Sequence, residues 1–86
     1  MKSIELFREN GYKQKYNDGH SVIYELENRE EREILPDTII IRKGNQEVRL
    51  QSDYIEERTS MGTVTFGLTK GLIQAINKKI EEINEK

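Results

Sequence analysis

Cysteine and tryptophan are absent from this 86-residue chain, and proline and histidine occur once each. Without cysteine there is no disulfide, no thiolate nucleophile and no cysteine-based zinc site. The one histidine, His20, lacks the company that catalysis needs: a nucleophile within reach and a third group to orient the ring. Ser21 adjoins it, but neighbours on a strand point to opposite faces and cannot act as nucleophile and base. Asp18 and His20 together fall short of a transition-metal ligand set, and no EF-hand spacing supports calcium. Long apolar runs are missing too. Nothing approaches the ~20 residues of a membrane span, and the first residues lack the apolar segment of a signal peptide. These absences lead to the expectation of a non-enzymatic chain without cofactor or metal, located in the cytoplasm and not in a membrane.

Positive charge is also in short supply. Fourteen Lys and Arg stand against sixteen Asp and Glu, for a net charge of −2. Phosphate binding rests on surplus cations, so a general nucleic-acid coat is disfavoured. What remains is a chain with 34% hydrophobic and 35% charged residues. About a quarter of it is Ile, Leu, Val and Phe, above the range of disordered segments. The length suits one small domain over residues 1–86 with a thin core. A homodimer would be one way to supplement that core.

Ser3 is placed to cap a short helix through Asn10, with Gly11 available for the left-handed residue that ends it. Asn17-Asp18-Gly19 separates two runs rich in Tyr, Val and Ile. A three-residue loop with Gly19 left-handed would pair Tyr16 with His20, Gln14 with Val22 and Tyr12 with Tyr24. That register collects Tyr12, Tyr16, Val22, Tyr24 and Leu26 on an inward face, with Lys13, Lys15, Ile23 and Glu25 outward. Residues 25–37 read as a polar loop holding Glu30, Glu31 and Glu33, which could complement a basic protein partner. Pro36 ends it.

The next run, DTIIIRKGNQEVRLQS, reads as a second hairpin turning at Gly44-Asn45, residues suited to positive φ. It sets Ile41 opposite Val48 and Ile39 opposite Leu50, all inward. Arg42 then faces Glu47, and Ile40 faces Arg49, on the outer side. Lys13, Lys15, Arg42, Lys43 and Arg49 are the candidate nucleic-acid contacts, although acidic partners across the strands suit a solvated outer face better. Tyr54-Ile55 could extend this hairpin, and Thr63 to Phe66 alternates as a last strand.

A closing helix is expected from about Thr69, which caps it while Leu68 packs back on Ile73. Leu72, Ile73, Ile76, Ile80 and Ile83 form an apolar stripe. Asn77 and Asn84 flank the stripe, where asparagines could bond to a second helix in a homodimer or to another protein. The expected fold is therefore α+β: a small antiparallel β-sheet of four to five strands with a short N-terminal and a longer C-terminal helix packed on one face.

The opening FRENGY (Phe7 to Tyr12) and the closing GLIQAINKKIEEIN (Gly71 to Asn84) resemble a group of small, mostly uncharacterised phage and prophage proteins of low-GC Gram-positive bacteria. In that group a short helix ends in Gly-Tyr, a few strands follow, and the last helix reads much like KAINKQIEELGW. Gly11, Tyr12, Ala75, Ile76, Asn77, Lys78, Ile80, Glu81 and Glu82 match the pattern. Ile83-Asn84-Glu85-Lys86 replaces its Leu-Gly-Trp ending. The resemblance attaches no catalytic residue. It implies an accessory protein that binds a host protein, an anti-defence (for example anti-CRISPR) inhibitor being one form, in the cytoplasm of the bacterial host. The alternative is a small nucleic-acid-binding module using the basic hairpin faces.

Overall fold

The computed structural model describes residues 1–27, 35–51 and 67–85. Helix α1 (Ser3–Glu9) leads into strands β1 (Tyr12–Asn17), β2 (Ser21–Leu26), β3 (Thr38–Arg42) and β4 (Val48–Gln51), and helix α2 (Lys70–Asn84) closes the chain. The four strands form one antiparallel sheet in the order β1-β2-β3-β4. Both helices contribute to a core on one face of it, so the α+β architecture stands. The expected strand from Thr63 to Phe66 and the segment at Tyr54-Ile55 lie outside the described residues, as do Glu30, Glu31 and Glu33.

Alternation along β2 and β3 sends Val22, Tyr24, Ile39 and Ile41 inward, where all four are fully buried. Tyr12 joins them from β1, Phe7 from α1, and Leu72, Ala75 and Ile76 from α2. Phe7 stacks on Tyr24 with ring centroids 3.6 Å apart and meets Tyr12 edge-on at 6.5 Å. Burial of this set is the main source of stability, since full burial of each large side chain contributes about 1.5–3 kcal/mol. Tyr12 keeps its hydroxyl satisfied inside the core by donating to the Pro36 carbonyl at 2.6 Å.

The β3–β4 hairpin has the expected register, with Ile39 opposite Leu50, Ile40 opposite Arg49 and Ile41 opposite Val48. Its turn differs. The connection includes residues 43–46, and the left-handed position falls on Gln46 at φ 59°, not on Gly44 or Asn45. The Asn45 side chain instead accepts the Glu47 N–H at 3.0 Å, the local bonding that suits asparagine to turns.

The first hairpin departs further. Tyr12 pairs with Leu26 and Gln14 with Tyr24, two residues from the expected register, and an irregularity between Gln14 and Tyr16 shifts the remainder so that Tyr16 pairs with Ile23. The extra residue, Lys15, reverses the facing of Tyr16 and Asn17. Tyr16 therefore lies on the outer face, 50% exposed, rather than in the core. Gly19 does not adopt positive φ. Asp18 organises the turn instead, its carboxylate accepting the His20 and Ser21 N–H groups at 2.8 and 2.9 Å. Strand β2 continues through Leu26, so the polar connection starts later than residue 25.

At α1, Ser3 is a helical residue and Lys2 is the N-cap. Gly11 does take the left-handed conformation at φ 89°. Thr69 caps α2 as expected, accepting the Leu72 N–H at 3.1 Å. The buried side of α2 is rotated from the isoleucine stripe: Leu72, Ala75 and Ile76 are buried, Ile80 and Ile83 half-buried, and Ile73 is 44% exposed. Leu68 packs on the core without Ile73. The rotation follows from α1, which approaches the side of α2 carrying Gly71, Ala75 and Glu82. A Cβ on Gly71 would stand 2.5 Å from Asn10 Oδ1, and Glu82 bonds to Ser3.

Candidate functional site

Two places gather polar groups: the junction of α1 with α2, and the outer face of the sheet. At the junction, the Glu82 carboxylate accepts the Ser3 N–H at 2.8 Å and the Ser3 hydroxyl at 2.7 Å. It thereby satisfies one of the N–H groups that a helix start leaves without an intrahelical partner. Partial burial opposes the charge on Glu82, but the two Ser3 bonds and the nearby Lys79 and Lys78 prevail and hold its pKa below the ordinary value. Tyr24 lies close by, its phenol fully enclosed and without a hydrogen-bond partner among the described residues. Burial pushes that phenol far up, and the Glu82 charge adds to the rise.

A cleft of about 820 Å³ opens beside this junction, lined by Lys2, Glu5, Lys43, Lys78, Lys79 and Glu82 among others. Its charged groups are largely engaged within the fold. Lys43 donates to the Asn17 side chain and the Asp18 carbonyl, both at 2.5 Å. Lys78 pairs with Glu81 at 3.4 Å and Lys79 with Glu82 at 3.9 Å. The Lys43 bonds tie the β1–β2 turn to the β3–β4 turn, whereas the two lysine–glutamate pairs lie within α2. No group of three potential metal ligands occurs among the described residues.

The outer face is built by the pairings of all four strands. One row crosses the sheet as Tyr16, Ile23, Ile40 and Arg49. Ser21 and Arg42 flank it on one side, with Glu47 beyond; Lys13, Glu25, Thr38 and Gln51 flank it on the other. Tyr16, Arg42 and Arg49 are exposed, and Ile23 and Ile40 are half-exposed. Two isoleucines and a tyrosine thus line the middle of a face that no described element covers.

Four of the five candidate nucleic-acid contacts meet on this face, and each of three has an anionic neighbour. Lys15 is 3.9 Å from Glu25, while Arg42 and Arg49 share Glu47 at 3.9 and 3.0 Å. Lys13 stands opposite Glu25. Lys43 belongs to the turn contacts described above. Tyr16 donates its hydroxyl to Asp18 at 2.6 Å, and that bond, reinforced by the Asp18 charge, raises the phenol's pKa. In return the Tyr16 hydroxyl, followed by the Ser21 and His20 N–H groups, lowers the Asp18 carboxyl to about 2.

The candidate protein contacts on α2 are not brought together with this face. Asn77 is exposed beside Ile73, whereas Asn84 accepts a bond from the Gln46 side chain and anchors the β3–β4 turn. Sequence reasoning misses Tyr16 and the continuity of the outer row. The signal for the row is the outward placement of Ile23 and Ile40; only the pairing of β2 with β3 joins them. No known protein family, curated protein or solved structure matches the chain.

Proposed function

We propose that this chain is a non-enzymatic binding protein that docks on another protein through the outer face of its sheet. The observation that carries the reading is the row Tyr16–Ile23–Ile40, apolar side chains left accessible at the centre of a charged face. An apolar centre with a polar rim is the anatomy of protein interfaces, and tyrosine and arginine are among their commonest anchors. The resemblance to phage and prophage proteins supplies the context: an accessory protein acting on a host protein, for which inhibition of a defence system is one role. A nucleic-acid module fits less well, because Lys15, Arg42 and Arg49 already have carboxylates beside them.

The test uses the intact protein as bait in bacterial lysate, beside Ile23→Lys/Ile40→Lys and Ile73→Lys baits. A protein retained after nuclease treatment by the wild type and Ile73→Lys, but not by the double variant, supports the reading. Equal retention on all three baits overturns it.

A further inference from the structure

A chemically reactive pair of residues lies at the far end of α1 from the Ser3–Glu82 bonds. Asn10 is the only asparagine of the chain that precedes a glycine, and it is the residue that ends the helix. An asparagine can lose its amide without an enzyme when the next backbone nitrogen attacks its side-chain carbonyl carbon. A glycine in that next position favours the attack, because no Cβ obstructs the approach and the backbone turns freely. In the folded chain three restraints oppose it. The Gly11 N–H, which must give up its proton, donates to the Arg8 carbonyl at 3.0 Å. The Asn10 amide nitrogen, which must leave, donates to the Leu6 carbonyl at 2.7 Å. A ψ of 13° at Asn10 holds the Gly11 nitrogen away from the carbon it would attack. Gly11 itself is pinned at φ 89°, with its carbonyl accepting the Glu27 N–H at 2.9 Å.

We propose that Asn10 is a spontaneous deamidation site that the fold keeps closed and that opens when α1 parts from α2. The proton of the Gly11 N–H passes to water, the nitrogen bonds to the Asn10 Cγ, and the Cγ–Nδ2 bond breaks. The side-chain nitrogen takes up a proton from water and leaves as ammonia. A second water opens the resulting succinimide at either carbonyl, leaving aspartate or isoaspartate. The restraints that prevent this belong to the end of α1, a helix of seven residues. A helix so short does not persist alone, so loss of its junction with α2 removes them together. Local openings of this kind need less free energy than global unfolding. The change is also one-way. Aspartate has no N–H for the Leu6 carbonyl, and isoaspartate adds a backbone carbon between Phe7 and Tyr12, whose rings meet in the core. A modified molecule cannot rebuild the same junction.

The test incubates the full chain in mildly alkaline buffer, folded and in denaturant, and follows each asparagine by peptide mass spectrometry, with isoaspartyl forms separated by chromatography. In denaturant Asn10 should react first among the asparagines; in the folded chain it should react at least tenfold more slowly. Ser3→Ala removes a bond of the α1–α2 junction, and Leu50→Val serves as the control that loosens the sheet instead. Ser3→Ala should speed the reaction of the folded chain severalfold, and Leu50→Val far less for a matched loss of melting temperature. The isolated isoaspartyl protein should melt below the unmodified one. Equal rates folded and unfolded, or earlier reaction at another asparagine in denaturant, would overturn the site. Equal acceleration by the two variants would overturn its dependence on the parting of α1 from α2. An unaltered melting temperature of the isoaspartyl protein would overturn the one-way change. Should Ser3→Ala fail to fold, Glu82→Gln takes its place with the same outcomes.

Discussion

At the scale of single residues, the carboxylates set how this protein responds to acid. Asp18 and Glu82 both have folded-state pKa values lowered from their ordinary ones, Asp18 to about 2. Groups of this kind contribute stability above their unfolded pKa and lose it as pH falls through the folded value. For Asp18 the window runs from the reference 3.8 down to about 2; for Glu82 it starts near 4.5. The melting temperature should therefore decline below about pH 4.5, and Glu82→Gln should flatten the upper part of that decline in thermal melts taken across the acid range. An equally steep decline in the variant would remove Glu82 from the account. Tyr24 offers the opposite case. Its hydroxyl is buried without a partner among the described residues, and an unmade buried bond costs about 1–3 kcal/mol. Tyr24→Phe should leave stability unchanged or raise it by about 1 kcal/mol in denaturant unfolding. A loss of stability instead would reveal a bond to that hydroxyl in solution.

At the scale of elements, the crossing of α1 and α2 is set by a glycine. Helix propensity alone favours Gly71→Ala by about 1 kcal/mol. The new methyl would push into Asn10, whose side chain donates to the Leu6 carbonyl at 2.7 Å. The substitution should consequently gain little or destabilise in the wild type, yet recover its full benefit in an Asn10→Ala background. Denaturant unfolding of the four proteins should give a coupling of about 1 kcal/mol; additivity would show that Asn10 simply moves aside. What the sequence disclosed varies in the same local way. The β3–β4 register was legible because Ile39, Ile41, Val48 and Leu50 alternate cleanly, and a slip of one residue would expose them all. The β1–β2 register was not, because a bulge leaves no mark in a run such as KQKYN, where every outward residue is polar. Ser3 reads as a cap locally, but Glu82, distant in sequence, claims both its N–H and its hydroxyl. The same holds for the outer face. Its charges were legible, whereas its apolar row depended on the bulge and on which strands become neighbours. The rotation of α2 was likewise set by a partner helix, not by its own stripe. Ile76, at 7% exposure, marks the core side, and Ile73, at 44%, the solvent side. Ile76→Asp should abolish the folded circular-dichroism signal, since it buries an unpaired charge; Ile73→Asp should melt within a few degrees of the wild type. Similar behaviour of the two would refute the observed rotation.

At the scale of the whole molecule, both ends of the described chain meet in one cluster. Phe7 lies between Tyr12 and Tyr24 of the sheet, and α1 and α2 are joined through Ser3 and Glu82. A chain of this length has room for a single core, so the outer face of the sheet keeps its shape only while helices hold the other side. Phe7 is the residue on which this depends most, because its ring completes the aromatic cluster and links the first helix to the second strand. Phe7→Ala should cost about 3–5 kcal/mol, a large share of the roughly 5–15 kcal/mol that stabilises a small domain. At about 4–8 °C per kcal/mol, the midpoint should drop by at least about 12 °C. The form of the transition is as informative as its position. If the molecule is one cooperative unit, far-ultraviolet ellipticity, dominated by α2, and near-ultraviolet ellipticity, from the tyrosines, should be lost together in both proteins. Loss of the tyrosine signal well before the helical one would mean that α2 holds its fold independently of the sheet. The outer face would then no longer owe its shape to the helices behind it.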